Sequence, residues 1–210
     1  MRIGVIGAGS VGGTLGQRWA ERGHEVLFGV RDATDEKVRG LFSASGGRAS
    51  AGSVEQAGAF GEVVVLATPW SAAESALRAA GDLRGKTLLD CTNPLKSDLS
   101  GLTIGHTTSG GEQVAAWARR AKVVKIFNTT GFDNMADPEY KEGPATMLYC
   151  GDDSSAKATA ATLAADLGFD PVDAGPLVQA RLLEPYALLW ITLAYKQGLG
   201  RSFAFRLVRR

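Results

Sequence analysis

The 210 residues suffice for one domain, or one domain with a small appendage, and can bury a sizeable core without disulfides. Lys plus Arg number 23 and Asp plus Glu 22, so a formal net charge of +1 supplies no broad attraction to nucleic acid or anionic lipid, and neither is expected as a partner. With 27 glycines and 45% apolar residues, the composition excludes a disordered chain and suits a compact α/β protein with many tight turns. Cys91 and Cys150, far apart in sequence, do not make a disulfide framework and are read as reduced thiols on buried strands. Residues 1–7 begin a strand at once, without the basic, apolar and cleavage regions of a secretory signal. The most apolar segment, residues 185–195, is 11 residues long, short of the about 17 to 25 that a spanning helix needs. A cytoplasmic location with no membrane partner is the expectation.

In chain order, residues 3–6 form an apolar strand ending at Gly7, residues 15–22 a helix, and residues 25–30 a second strand entered by the turn at Gly23 and His24. Asp32 can cap a helix starting at Ala33. Residues 43–52 are polar and glycine-rich, a loop around a minor strand, and Ser53 can cap a short helix ending by Gly61. Residues 63–67 are uniformly apolar, as a strand covered on both faces should be. Ser71 with Glu74 three residues later forms a capping box for a helix over 71–80. Residues 86–91 are another buried strand, followed by a long polar loop to Gly111, a helix over 112–121 and a strand over 123–127. This alternation indicates a Rossmann-type, doubly wound parallel sheet.

Beyond Gly131 the pattern changes. A polar segment holds Pro138 and Pro144, a strand spans 145–150, and a helix over 154–167 is led by Asp152 and Asp153, which complement its dipole. A further strand lies near Pro171 and Val172, and from Pro176 a long apolar helix, interrupted at Pro185, runs to Gly198–Gly200 ahead of Phe203, Phe205 and a basic tail. A soft boundary near residue 142 divides a dinucleotide-binding domain, 1–142, from a small C-terminal α/β subdomain, 143–210. That subdomain must pack on the first, because its long helix is apolar around most of its circumference.

Gly7-Ala8-Gly9-Ser10-Val11-Gly12 matches G-x-G-x-x-G in the context that gives the pattern meaning, after a strand and at the opening of a helix. Gly7 makes the tight turn, Gly9 lets backbone approach a pyrophosphate, and Gly12 permits close packing of helix on strand, while the helix N-terminus offers free N–H groups to the anion. At the end of the second strand an acidic residue would hold the ribose hydroxyl of NAD and a basic one the extra phosphate of NADP. Here Val30 precedes Arg31, whose planar donor fork suits phosphate, so NADP(H) is favoured; the alternative is a solvated Arg31 paired with Asp32 or Asp35.

Thr68-Pro69-Trp70, Asn93-Pro94 and Asn128 follow successive strands and should reach the carboxyl edge of the sheet, around the nicotinamide, although strand-end punctuation and a core role for Trp70 are open alternatives. His24 and His106 have no evident carboxylate partner, and no C-x-x-C, H-E-x-x-H or G-x-S-x-G occurs, so neither a metal site nor a serine hydrolase is supported. No catalytic acid is identified. Hydride transfer between two bound rings fits such a site, since it depends mainly on proximity and stacking.

The segments 3–13, Gly29-Val30-Arg31, Thr68-Pro69-Trp70, Cys150-Gly151-Asp152-Asp153, and Asp173-Ala174-Gly175-Pro176-Leu177 followed by Arg181-Leu182-Leu183-Glu184, resemble those of the NADPH-dependent coenzyme F420 reductases. Their nucleotide domain is shared with the reductase domain of the STEAP metalloreductases. The resemblance spans nearly the whole chain. It implies that Ala8, Ser10 and Val11 line the pyrophosphate, that Val30 and Arg31 face the NADP phosphate, and that a deazaflavin stacks on the nicotinamide near Trp70, Asn93, Pro94 and Asn128. Val30 stands where the family has a hydroxyl residue, the Asn93-Pro94 loop is more polar than the family's, and Asn128 replaces a histidine. The resemblance also implies a homodimer, with the helix over 182–195 as a face for a partner or for the chain's own sheet. The expectation is therefore an NADP(H)-dependent oxidoreductase passing hydride to a planar acceptor, coenzyme F420 or a flavin. An NADPH-dependent imine or carbonyl reductase, with His106 as the nearby proton donor, and a non-catalytic NADP(H) sensor are the alternatives.

Overall fold

The structure, a computed structural model, describes residues 1–32, 38, 40, 41 and 45–210. The helix expected to start at Ala33 and the pairing of Arg31 with Asp35 lie outside the described residues. Strands β1 (Arg2–Ile6), β2 (Glu25–Gly29), β3 (Ala49–Gly52), β4 (Val63–Leu66), β5 (Thr87–Asp90), β6 (Lys122–Lys125), β7 (Thr146–Gly151) and β8 (Asp170–Asp173) form one sheet in the order β3-β2-β1-β4-β5-β6-β7-β8. Every neighbouring pair is parallel except β6 with β7. This is a Rossmann-type sheet with its order reversing between β1 and β4, extended by β7 and β8.

The inner strands β1, β4 and β5 have no solvent-exposed face because both faces are covered, and alternate residues divide between two cores. Ile3, Val5, Val63, Val65, Leu89 and Val124 pack with Leu15 and Trp19 of α1 (Ser10–Glu21), Met135 of α5 (Phe132–Ala136) and Leu163 of α6 (Ser154–Asp166). Ile6, Val64, Leu66, Leu88 and Val123 pack with Leu77 of α3 (Trp70–Ala79), Val114 of α4 (Gly110–Trp117), and Leu183 of α7 (Ala180–Ile191). The short helix α2 (Val54–Phe60) lies on β1 and β2, and Ser53 caps it in a capping box with Gln56.

Several local expectations are corrected. Helix α1 begins at Ser10, not near Leu15: Gly12, Gly13 and Gly16 weaken its intrinsic propensity, but all three are buried, and close packing of the helix on the sheet offsets the about 1 kcal/mol each costs. Helix α3 opens at Trp70 behind an N-cap Pro69 without a side-chain cap, and Glu74 pairs with Arg78 at 2.6 Å, so the Ser71 capping box does not form. Helix α4 starts at Gly110, capped by Ser109, whose Oγ accepts from the Glu112 N–H at 3.1 Å. Helix α7 continues through Pro185, which forfeits one hydrogen bond while Leu183, Ala187 and Trp190 stay buried, and it ends in a π turn, Thr192–Lys196. His24 does have a carboxylate partner: its Nε2 lies 3.0 Å from Asp166 on α6, which the separation of 142 residues conceals in the sequence.

Cys91, next to β5, and Cys150, in β7, are free and buried. Burial pushes both thiols well above their ordinary value, Cys150 to about 12. Native protein at pH 7.5 to 8, a range about one unit below an ordinary thiol pKa, should therefore leave both cysteines unmodified by iodoacetamide, and both should react in guanidinium. Stoichiometric alkylation of either in the native state would contradict this packing.

Candidate functional site

Every strand end singled out in the sequence emerges at the carboxyl edge of the parallel strands. Gly7 follows β1, Val30 follows β2, Thr68 lies just past β4, Asn93 past β5 and Asn128 past β6. Gly7 adopts φ +100°, and a Cβ there would lie 2.7 Å from the Ala67 carbonyl oxygen; one on Gly12 would collide with the Gly7 carbonyl. These two glycines let strand, turn and helix touch. Gly9, by contrast, meets nothing among the described residues: apart from its chain neighbours, none has an atom within 4 Å of where its side chain would be.

Gly9 is the N-cap of α1, no side chain among the described residues caps that helix, and its first turn holds no acidic residue. Its free N–H groups and positive dipole end therefore face outward beside an open glycine, with Ala8, Ser10 and Val11 along the same turn. Thr68 closes the neighbouring wall, and its buried hydroxyl has no hydrogen-bond partner among the described residues. An uncapped helix start, an open glycine and an orphaned hydroxyl at the switch point fit a dinucleotide diphosphate. Arg31 is exposed one strand away, next to the half-buried Val30.

The other half of the site is built around two contacts. Asn93 Nδ2 donates to the Asn128 carbonyl at 2.8 Å, and Asn128 Nδ2 donates to Asn93 Oδ1 at 3.1 Å, joining the ends of β5 and β6. Trp70 and Pro94 converge on Gly110, each with an atom 3.2 Å from where a Cβ would stand. The Trp70 ring, half-buried, packs on Trp117 of α4 with centroids 5.2 Å apart, so it bridges two helices at the rim of the site. Pro69 is exposed at the start of α3, and His106 lies exposed in the 91–109 loop.

Phe127, just before Asn128, has φ +59°. A left-handed conformation at a bulky residue is costly. It interrupts the alternation of β6: Ile126 and Phe127 both bury in the core shared with α1, and Asn128 is turned toward α7, where its Nδ2 also reaches the Leu183 carbonyl at 3.3 Å.

Beneath this edge lies a cluster that no sequence motif marks. Lys125, fully buried, donates to Asp90 at 2.8 Å and to the Thr92 carbonyl at 2.7 Å, and pairs with Glu184 of α7 at 2.9 Å. Glu184 also accepts the Gly110 and Gly111 N–H groups at 2.9 Å each, filling the start of α4 from a distant helix. Burial alone would lower the Lys125 pKa, but Asp90 and Glu184 together raise it above the ordinary lysine value. The available signal was charge on otherwise apolar strands, Asp90 after Leu88-Leu89 and Lys125 after Val123-Val124, since such charges must be paired. Glu112 and Arg181 form a second tie at 2.6 Å, which holds the Glu112 carboxyl below its usual range.

The two segments that most specifically carry the family resemblance touch one another: Gly151 N–H donates to the Gly175 carbonyl at 3.1 Å, and Leu177 N–H to Asp152 Oδ1 at 2.9 Å. They steer the chain from β8 into α7 and so deliver Glu184 and Leu183 to the site.

Fold and cradle together define a Rossmann-type, dinucleotide-binding architecture. The sequence profile of the family described as NADP oxidoreductase, coenzyme F420-dependent, matches residues 2–94. A crystal structure described as that of a candidate F420-dependent NADP-reductase from Arthrobacter sp. FB24 superposes with a TM-score of 0.88 at 34% identity, covering 99% of each chain. The F420-dependent NADP reductase of Methanothermobacter thermautotrophicus is 29% identical over 92% of this chain and 89% of its own length. Metalloreductase STEAP3 of Rattus norvegicus is 30% identical over 89% of this chain, which spans only 36% of that protein. The chain belongs to the family of coenzyme F420-dependent NADP oxidoreductases, and its NADP-dependent oxidoreductase class follows from that membership.

Proposed function

We propose that the protein transfers a hydride between NADPH and a planar redox ring, coenzyme F420 before a flavin, across the carboxyl edge of its sheet. The single observation that carries this reading is the meeting of the open, uncapped Gly7–Gly12 cradle with the Asn93–Asn128 hydrogen bonds and the convergence of Trp70 and Pro94 on Gly110 at one sheet edge. NADPH, when bound, supplies the hydride. The N–H groups of the α1 start would hold its diphosphate, Arg31 the ribose phosphate, and Thr68, Pro69, Trp70, Asn93, Pro94 and Asn128 the two facing rings. Those residues orient and exclude water, and none needs to act as a fixed acid if the acceptor ring takes its proton from solvent.

The C-terminal segment, 143–210, acts in this reading as a subdomain that completes the site from the α7 side, because Leu183 and Glu184 reach Asn128, Lys125 and α4. Leu182, Pro185 and Leu189 are exposed along one side of its helix, with Val178 in the turn just before it, Leu182 at 65% and Leu189 at 49%. Their three- and four-residue spacing makes one apolar stripe, which a second copy of the chain would cover in a homodimer. Among the described residues no helix is long and apolar enough to cross a membrane, and a cytoplasmic location is part of the proposal.

The deciding assay mixes purified protein with oxidised coenzyme F420 and NADPH, with NADH and with FMN in parallel arms, and follows loss of the oxidised-ring absorbance. Turnover with F420 and a preference for NADPH over NADH is the expected result. NADPH binding without loss of absorbance in any arm would overturn the acceptor assignment.

A further inference from the structure

The buried cluster of Lys125, Asp90 and Glu184 directs its charges at backbone groups where elements end. The three Lys125 donors are taken by Asp90, Glu184 and the Thr92 carbonyl. Asp90 Oδ1 accepts the Thr92 N–H at 2.9 Å and the Thr92 hydroxyl at 2.7 Å, so Thr92, the residue before Asn93, is gripped at its N–H, carbonyl and side chain. Glu184 accepts the Gly110 and Gly111 N–H groups. For stability alone, apolar side chains of similar volume serve a protein interior as well as a buried ion triad, because desolvation of the charges offsets their attraction. What apolar side chains lack is the means to fix a carbonyl and three N–H groups in place.

Gly110 joins the cluster to the site edge. A Cβ there would lie 3.0 Å from Glu184 Oε1, 3.2 Å from Pro94 Cδ and 3.2 Å from Trp70 Cζ3. The start of α4, the proline and the tryptophan thus meet at one backbone position, and Glu184 sets where it stands. Among the described residues, no side-chain hydrogen bond or ion pair of the cluster reaches Gly7–Gly12 or the end of β2. In the sheet order β5 stands two strands from β1, about 10 Å at the usual strand spacing.

We propose that Lys125 and Glu184 are positioning residues for the acceptor half of the site. Through Thr92 and Gly110 they set Asn93, Pro94 and Trp70 at the height where the second ring meets the first, while β1 and α1 set the dinucleotide cradle independently. This rests on the hydride-transfer reading above. Neither residue touches a ligand; both act through the backbone they hold.

The test is a stopped-flow single turnover on the full chain, with NADPH saturating and oxidised coenzyme F420 varied. Its amplitude counts folded sites, and its limiting rate constant reads the geometry of those sites. Glu184→Gln removes a charge but keeps one oxygen for the helix start, whereas Glu184→Ala removes both oxygens. Gly110→Ala leaves every charge in place and inserts a methyl between Glu184, Pro94 and Trp70, so it carries the test should a Glu184 variant fail to fold. A misplacement of up to 1 Å is expected to lower the rate constant about fivefold to a hundredfold in Glu184→Gln and Gly110→Ala, and further in Glu184→Ala. The Kd for NADPH, from fluorescence titration, should stay within about twofold of wild type, as for distant, uncoupled sites. A wild-type rate constant in any folded variant, whatever its amplitude or Tm, would make the cluster structural only and overturn the inference. An equal loss of NADPH affinity would overturn it too, since the cluster would then brace the whole edge. Wild type that binds NADPH but passes no hydride to coenzyme F420 would instead remove the acceptor reading, and this inference with it.

Discussion

Lys125→Met should cost about 3–5 kcal/mol, because it leaves the Asp90 and Glu184 carboxylates buried without their cation. For a chain of this size that is a fall in Tm of roughly 6–20 °C, a large part of the about 5–15 kcal/mol that holds a domain folded. The cluster carries two negative charges and one positive, and the excess negative charge faces the Gly110 and Gly111 N–H groups at the start of α4. Glu184→Gln should therefore be milder than Lys125→Met: it leaves a neutral Lys125–Asp90 pair and keeps one oxygen for the helix start. Equal losses for the two variants, or a Lys125→Met protein as stable as wild type in a urea titration, would contradict the cluster's charge balance.

The same cluster has a pH signature. Lys125 titrates above the ordinary 10.5 in the folded protein, so its contribution is complete below that value and is lost as the pH rises through the folded pKa. The stability difference between wild type and Lys125→Met should stay level from pH 7 to about 10 and shrink only in stronger alkali, where the wild-type lysine deprotonates.

Arg31→Ala should weaken NADPH binding by about tenfold to a hundredfold while changing NADH binding by no more than about twofold, as expected for loss of a charged hydrogen bond to phosphate. Arg31 is exposed at the end of β2, beside Val30, and no ion pair among the described residues holds it elsewhere. Val30 supplies no hydroxyl, so the phosphate would rest more heavily on the guanidinium than in relatives with a hydroxyl residue there. Fluorescence titration of the two dinucleotides against both proteins measures the ratio. Equal losses for NADPH and NADH would mean that Arg31 does not face the phosphate.

The amino-acid sequence by itself determined the parallel sheet and its cradle. β1, β4 and β5 read as apolar runs because strands covered on both faces carry no alternation to confuse them with surface, and Gly7, Gly9 and Gly12 are placed by a turn whose sterics are local. Helix starts were less legible wherever tertiary packing overrode local signals. Glycines obscured the start of α1, and Glu184 fills the start of α4 from 74 residues away. The tertiary structure alone decided the rest of the site. Lys125 meets Asp90 across 35 residues because β5 and β6 are sheet neighbours, and Glu184 joins them because α7 returns over that edge. The orientation of the Asn128 amide likewise depends on Asn93 and Leu183, which share no sequence pattern with it. Burial forces such groups to be paired, but only the folded arrangement chooses the partner.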